Sequence, residues 1–189
     1  VIMPTPCWVS YVEMVKIAEG KSVLVKTTME NNFCLTAEQL EAAITPQTKL
    51  LMLCSPNNPT GSVYSYENLK AIVEVLKRHP QVNVLADEIY QHILYTGKHE
   101  TLAQFPELED RLIIINGVSK AYAMTGYRIG WLACHDKDFI TAVKRLQGQT
   151  ISCATTIAQK AAEAAYAGPQ ECVEEMRQAF ERRRNLILE

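Results

Sequence analysis

Short apolar runs alternate along this chain with segments in which apolar residues recur every three or four positions. The runs have the length of β-strands and occupy residues 23–26, 50–54, 82–86 and 112–115, with 129–134 as a further candidate strand. The segments between them have the spacing of amphipathic helices. Continuous apolar strands that alternate with helices predict an α/β fold, in which a mostly parallel sheet lies in a three-layer α/β/α arrangement.

Local signals mark where several helices begin and end. Thr36 followed three positions later by Gln39 predicts a capping box, and Asp136 is a second candidate N-cap. Pro80 and the Gly-Pro pair at 168–169 are stop signals. No repeat or low-complexity linker interrupts the chain, so we expect a single domain over residues 1–189.

Composition and charge restrict the classes of function. The 189 residues are 48% hydrophobic and 21% charged with a formal net charge of -2, which is typical of a soluble globular protein and gives no reason to expect a nucleic-acid partner. No apolar stretch is long enough to span a membrane. The six cysteines have neither zinc-site nor redox-motif spacing, so we expect reduced thiols, no metal and a cytoplasmic location.

Three polar segments follow apolar strands, at residues 55–61, 87–90 and 117–130. Ligands of open α/β sheets bind outside the carboxyl ends of the strands. We therefore expect these segments to converge on one site.

The segment 117–130 carries a lysine and an arginine that suit one cofactor. Lys120 lies in a small-residue loop after the most apolar strand, where an amine can hold pyridoxal 5′-phosphate (PLP) as a Schiff base and later move a proton. Arg128 presents a planar, permanently charged fork that suits the phosphate. Ser119 either adds a hydroxyl donor to that phosphate or is a small packing residue.

The other two segments supply the remaining groups that PLP needs. Asp87 would pair with the pyridine nitrogen and keep it protonated, the alternative being a helix cap or a salt bridge. Tyr90 and Asn58 would hydrogen-bond the phenolic oxygen, although an asparagine before proline is by itself more often a turn residue. Trp8 would stack on the ring, with core packing as the alternative.

With these residues in place, the chain resembles the fold-type I, class I/II PLP-dependent aminotransferases, most of all the bacterial aspartate aminotransferase branch. The resemblance rests on residues 6–11, 55–61, 86–90 and 117–131 and implies the same role for each residue: Lys120 as the Schiff-base lysine, Asp87 at the pyridine nitrogen, Tyr90 and Asn58 at the phenolate, Arg128 at the phosphate and Trp8 on the ring. Many relatives carry a serine three positions before the lysine as a phosphate ligand, whereas this sequence has Gly117.

The resemblance also implies that these residues are most of the large, PLP-binding domain. An N-terminal segment with a phosphate-binding turn and a C-terminal small domain with the substrate-carboxylate arginine would lie outside them. The full-length protein would then be a homodimer that transfers an amino group between an L-amino acid, aspartate above all, and a 2-oxo acid. The 189 residues alone would be inactive.

Three other interpretations stay open at this point. The same cofactor site could serve a PLP-dependent C–S lyase or an enzyme similar to aminocyclopropane-carboxylate synthase. It could also belong to the effector domain of a transcription regulator. In a different α/β enzyme, residues 57–61 would be merely a turn.

Overall fold

The computed structural model describes residues 1–189 and contains one six-stranded sheet in the order β2-β1-β3-β4-β5-β6. Strands β1 to β5 pair in parallel, and β6 is antiparallel to β5. The predicted α/β fold with a mostly parallel sheet is confirmed. The strands are β1 (Ile2–Thr5), β2 (Val23–Lys26), β3 (Leu50–Cys54), β4 (Asn83–Asp87), β5 (Leu112–Gly117) and β6 (Gly130–Ala133).

Six α-helices accompany the sheet. They are α1 (Val9–Ile17), α2 (Ala37–Ala43), α3 (Tyr66–Lys77), α4 (Lys137–Thr150), α5 (Thr156–Ala167) and α6 (Glu171–Leu188). The predicted capping box begins α2, since the Gln39 backbone N–H donates to Thr36 Oγ1 at 3.2 Å and the Thr36 N–H donates to Gln39 Oε1 at 3.1 Å. None of these helices combines the length and the apolar composition that crossing a bilayer requires.

Helices cover both faces of the sheet because alternate strand residues point to opposite sides. On one face, Ile2 belongs to a core of 19 buried residues that includes the apolar stripes of α2 and α3. On the other face, the neighbouring Met3 packs with Tyr11 and Val15 of α1. The three-layer arrangement follows from this alternation.

Helix α1 has no counterpart among the elements predicted from the sequence. Its apolar residues surround the helix, so that Tyr11 and Val15 are buried while Val9 and Ile17 are exposed. No side chain caps its first turn. Without an amphipathic stripe or a cap, residues 9–17 carry neither of the signals that reveal a helix.

The strand order places a crevice at one edge of the sheet. The chain proceeds outward from β1 to β2 and then returns to the other side of β1 with β3, so the order reverses at β1 and β3. Such a reversal separates the loops at the carboxyl ends of the strands and leaves room for a ligand. The polar segments after β3, β4 and β5 all lie at these ends.

Candidate functional site

A cavity of about 460 Å³ lies at the carboxyl ends of the parallel strands. Its walls include all seven of the residues singled out in the sequence, which are Trp8, Asn58, Asp87, Tyr90, Ser119, Lys120 and Arg128. They lie at or after the carboxyl ends of four different strands, β1, β3, β4 and β5, and the parallel alignment of those strands brings them together. Their convergence agrees with the expectation of one site.

Asp87 is the last residue of β4, and both of its carboxylate oxygens accept hydrogen bonds. The Ile89 backbone N–H donates to Oδ1 at 3.1 Å, and the Tyr11 hydroxyl donates to Oδ2 at 2.5 Å. These two donors, one from the following turn and one from helix α1, fix the orientation of the carboxylate. The carboxylate is half-buried in the wall of the cavity and precedes no helix that it could cap.

Tyr11 is the main site residue that sequence reasoning missed, because it lies on the unpredicted helix α1. Its side chain is buried and lines the cavity. Burial, followed by the nearby Cys54 thiol and the Asp87 carboxylate, raises the pKa of the Tyr11 hydroxyl far above its usual value. The phenol therefore stays protonated and remains a donor to Asp87 at physiological pH.

Cys54 ends β3 beside this pair. Burial, and secondly the Asp87 charge, raise the pKa of its thiol to about 11. Its Sγ donates to the Pro56 carbonyl at 3.2 Å. The Cys54 thiol therefore stays protonated, and its hydrogen bond goes to the Pro56 carbonyl.

Asn58 and Tyr90 meet across the cavity. Asn58 Nδ2 donates to the Tyr90 hydroxyl oxygen at 3.4 Å. The turn at residues 57–61 is held by the Asn57 side chain, whose Nδ2 donates to the Pro6 carbonyl at 3.1 Å and to Thr60 Oγ1 at 2.8 Å. Asn58 does lie in this turn, as its place before proline predicts, and its side-chain amide is directed to Tyr90.

Lys120 is an exposed side chain on an anchored loop. The neighbouring Val118 and Ala121 are buried, and the Met124 N–H donates to the Val118 carbonyl at 3.3 Å. The ammonium Nζ stands 5.6 Å from the centroid of the Tyr90 ring. The loop thus holds the Lys120 amine over the same cavity that Asp87 and Tyr90 line.

Arg128 closes the cavity from the end of the same loop. It adopts a left-handed backbone with φ of 57°, a conformation that costs free energy in a non-glycine residue. Its Nη1 donates to the Thr125 carbonyl at 3.1 Å, and Thr125 Oγ1 donates to the Ser119 carbonyl at 2.9 Å. Thr125, a lining residue that the sequence did not reveal, thereby ties Arg128 to Ser119.

Gly117 has a structural reason to lack a side chain. A Cβ atom there would lie 2.7 Å from the Ile129 carbonyl oxygen and 2.9 Å from Gly130 Cα. Both are backbone atoms of the neighbouring segment and cannot rotate away. A serine at position 117 would not fit here without a shift of the β5–β6 pair.

Trp8 follows β1 and borders the mouth of the cavity. Its side chain is 39% exposed, which argues against the core-packing alternative. The indole meets the Tyr11 ring edge to face, with centroids 5.4 Å apart. The Tyr11 ring thus supports the indole at the border of the cavity.

The residues around this cavity fit PLP. An amine, a carboxylate, a phenol paired with an amide, a guanidinium and an indole are the groups that its aldehyde, ring nitrogen, phenolic oxygen, phosphate and ring face require. A volume of about 460 Å³ is within the range of roughly 300–1,000 Å³ usual for small-molecule sites.

Comparison with known proteins identifies the family: the chain belongs to the aminotransferase class I and II family, whose model matches residues 1–189. It is 52% identical to an aspartate aminotransferase of Geobacillus stearothermophilus over 99% of the chain. The crystal structure of the aspartate aminotransferase from Rhizobium meliloti matches 98% of the chain at 47% identity with a TM-score of 0.95.

An aromatic aminotransferase from Pyrococcus horikoshii is also similar, with a TM-score of 0.94 at 36% identity over 98% of the chain. The chain spans only about half of each of these proteins: 48% of the Geobacillus relative, 47% of the Rhizobium structure and 50% of the Pyrococcus one.

Proposed function

We propose that the full-length protein is a PLP-dependent aminotransferase that moves an amino group between an L-amino acid and a 2-oxo acid. The observation that carries this proposal is the convergence of Lys120, Asp87 and Arg128 on one cavity. Aspartate is the proposed amino donor, a choice supported by the names of similar relatives. The aromatic enzyme shares the fold, so the fold itself does not set the side-chain specificity.

Each residue of the cavity has a separate task in this proposal. PLP, when bound, supplies an aldehyde that condenses with amines and a ring that withdraws electrons from the α-carbon of the substrate. Lys120 Nζ anchors the cofactor and, once displaced, accepts the α-proton of the substrate and returns it. Arg128 and Ser119 hold the phosphate, and Trp8 supports the ring face.

The remaining groups control charge. Asp87 would bind the ring N–H, and the Tyr11 hydroxyl and the Ile89 N–H hold this carboxylate in its orientation. Asn58 and Tyr90 donate to the phenolic oxygen, which favours its ionised form. The cavity would thereby present a negative partner at one side of the ring and neutral donors at the other.

The test is transamination by the full-length protein. We expect 2-oxoglutarate-dependent formation of oxaloacetate from aspartate, followed through a coupled dehydrogenase. Lys120→Ala removes the amine that moves the proton, so we expect kcat to fall by at least a hundredfold, the lower end of what positioned acid–base groups contribute, roughly 10²–10⁴. Lys144→Ala, on the exposed surface of α4, is the matched control and should leave the rate unchanged.

Other products would contradict the proposal. Release of ammonia and a 2-oxo acid without an amino acceptor would indicate a lyase, and a rate unaffected by Lys120→Ala would exclude this lysine from the chemistry. The prediction that residues 1–189 alone are inactive is checked in the same assay.

A further inference from the structure

Glu88 is a buried acidic residue directly beside the cavity, yet it does not line it. Its side chain is 8% exposed and lies beside Leu69 and Leu102 of the main core, whereas the Tyr11 that contacts Asp87 packs on the other face of the sheet. Thr101 Oγ1 donates to Glu88 Oε1 at 2.7 Å, and His99 Nε2 lies 3.2 Å from Oε2. These three side chains are here called the Glu88 cluster.

Burying the Glu88 cluster costs free energy unless its polar atoms find partners. A carboxylate taken out of water is costly unless charged or hydrogen-bonding partners surround it. The His99 side chain is itself only 14% exposed, and neither of its ring nitrogens makes a well-aligned hydrogen bond. The close approach of its Nε2 to the Glu88 carboxylate is therefore its polar contact in the cluster. Each member of the cluster therefore depends on the others.

The cluster does not bind a ligand of its own. The space beside Glu88 and Leu102 amounts to about 10 Å³, which is at most the room that one water molecule needs. Its role must follow from what it holds in place.

The cluster holds the turn that carries two residues of the cofactor cavity. The Glu88 N–H donates to the Ile115 carbonyl of β5 at 2.9 Å, and the Gln91 N–H donates to the Glu88 carbonyl at 2.9 Å. Asp87 precedes Glu88 and Tyr90 follows it by two positions. The Glu88 side chain adds a third attachment, to residues 99–101, behind the turn.

We propose that Glu88, through His99 and Thr101, is a positioning residue that fixes the turn 87–91 and thereby sets where Asp87 and Tyr90 stand in the cavity. This inference rests on the proposed PLP site. Glu88 acts from the far side of the sheet and touches neither cofactor nor substrate.

The test uses the full-length protein with Glu88→Gln, which keeps the shape and the oxygen that accepts from Thr101 but removes the charge. The matched control is Glu41→Gln, because Glu41 also pairs with a histidine, His79 Nε2 at 2.8 Å, on the exposed side of α2. Two quantities are measured: the PLP dissociation constant, from the visible absorbance of bound PLP, and hydrogen–deuterium exchange of residues 88–93 in PLP-free protein.

We expect Glu88→Gln to weaken PLP binding on the order of tenfold, the size of effect expected when the acceptor of a buried hydrogen bond loses its charge, and to speed exchange at residues 88–93. Thr101→Val, a milder change, should act in the same direction and keeps the test valid if Glu88→Gln does not fold. Glu41→Gln should change neither quantity.

A lowered melting temperature with unchanged PLP affinity and unchanged exchange at residues 88–93 would overturn the inference, since it would mean that Glu88 only stabilises the fold. If the unaltered protein bound no PLP, the proposed function would fail instead. The exchange measurement would then still decide whether Glu88 fixes the turn.

Discussion

The carboxylate of Asp87 is oriented by two hydrogen bonds, one local and one from a residue distant in sequence. Its partners come from its own turn, through the Ile89 N–H, and from helix α1, through the hydroxyl of Tyr11. The first contact is local and consistent with an aspartate that ends a strand. The second contact joins residues 76 positions apart, and no pattern in the sequence predicts it.

Tyr11→Phe tests this second contact. The substitution removes one hydroxyl and leaves the ring that packs against Trp8. A hydrogen bond to a charged group contributes about 1.5–3 kcal/mol, so we expect PLP affinity in the full-length protein to fall by tenfold or more as Asp87 loses this contact and its orientation. Fluorescence titration with PLP measures this change.

Tyr64→Phe is the control for that substitution. Tyr64 is buried in the main core, away from the cavity, and its hydroxyl accepts from the Leu35 N–H at 2.8 Å. It should lower the free energy of unfolding without changing PLP affinity. Equal PLP affinities for Tyr11→Phe and the unaltered protein would rule out a role for Tyr11 in holding Asp87.

At the residue scale, the sequence revealed the groups that lie in compact motifs. Lys120, Arg128, Asp87 and Tyr90 each follow an apolar strand, where the chemistry of the residue type and its place agree. Tyr11 and Thr125 were missed because a tyrosine in an apolar segment and a threonine in a small-residue loop have many ordinary uses. Their contribution becomes visible only from their partners.

At the scale of elements, the contact between β5 and β6 decides how the Lys120 loop begins and ends. Gly117 and Gly130 are paired across these antiparallel strands, and the loop between them carries Lys120 and Arg128. The close approach at Gly117 leaves no room for a Cβ atom. The spacing of the two cationic residues therefore depends on a glycine that contacts no ligand itself.

Gly117→Ala should force the two strands apart. Because the obstructing atoms are backbone, we expect a loss of about 1–3 kcal/mol in the free energy of unfolding, the usual cost of overpacking. We also expect weaker PLP binding as the Lys120 loop shifts. Denaturant unfolding and PLP titration of the full-length protein measure the two effects.

Gly148→Ala is the matched control for this change. Gly148 lies within α4, and a Cβ atom added there would meet no neighbouring atom within 4 Å, so alanine should stabilise the helix by about 0.5–1 kcal/mol. An unfolding free energy of Gly117→Ala at or above that of the unaltered protein would show that the β5–β6 contact tolerates a side chain.

Elements whose ends carry capping residues or stop signals in the sequence were predicted well. The capping box at Thr36 and the cap at Asp136 begin α2 and α4 as expected. The predicted strands agree with β2 to β6 to within two residues at each end. Helix α1 was missed because its packing comes from the sheet beneath it, through Tyr11 and Val15, and its own sequence is apolar on every side.

At the scale of the whole molecule, alternating strands and helices predicted the layers but not the strand order. The reversal between β1 and β3 and the antiparallel direction of β6 depend on which edges the crossovers join. The strand order and the direction of β6 are determined by packing between segments distant in sequence. The convergence of the polar loops could nevertheless be expected, because parallel strands place their carboxyl ends on one side of the sheet.

The central claim, that Lys120 is the amine that holds PLP among Asp87, Tyr90 and Arg128, can be measured directly. The full-length protein is incubated with PLP, reduced with borohydride, digested and mapped by mass spectrometry. We predict a stable pyridoxyl adduct on Lys120 and its loss in Lys120→Ala. An adduct of equal yield on another lysine, or none on Lys120 in a protein saturated with PLP, would contradict the account.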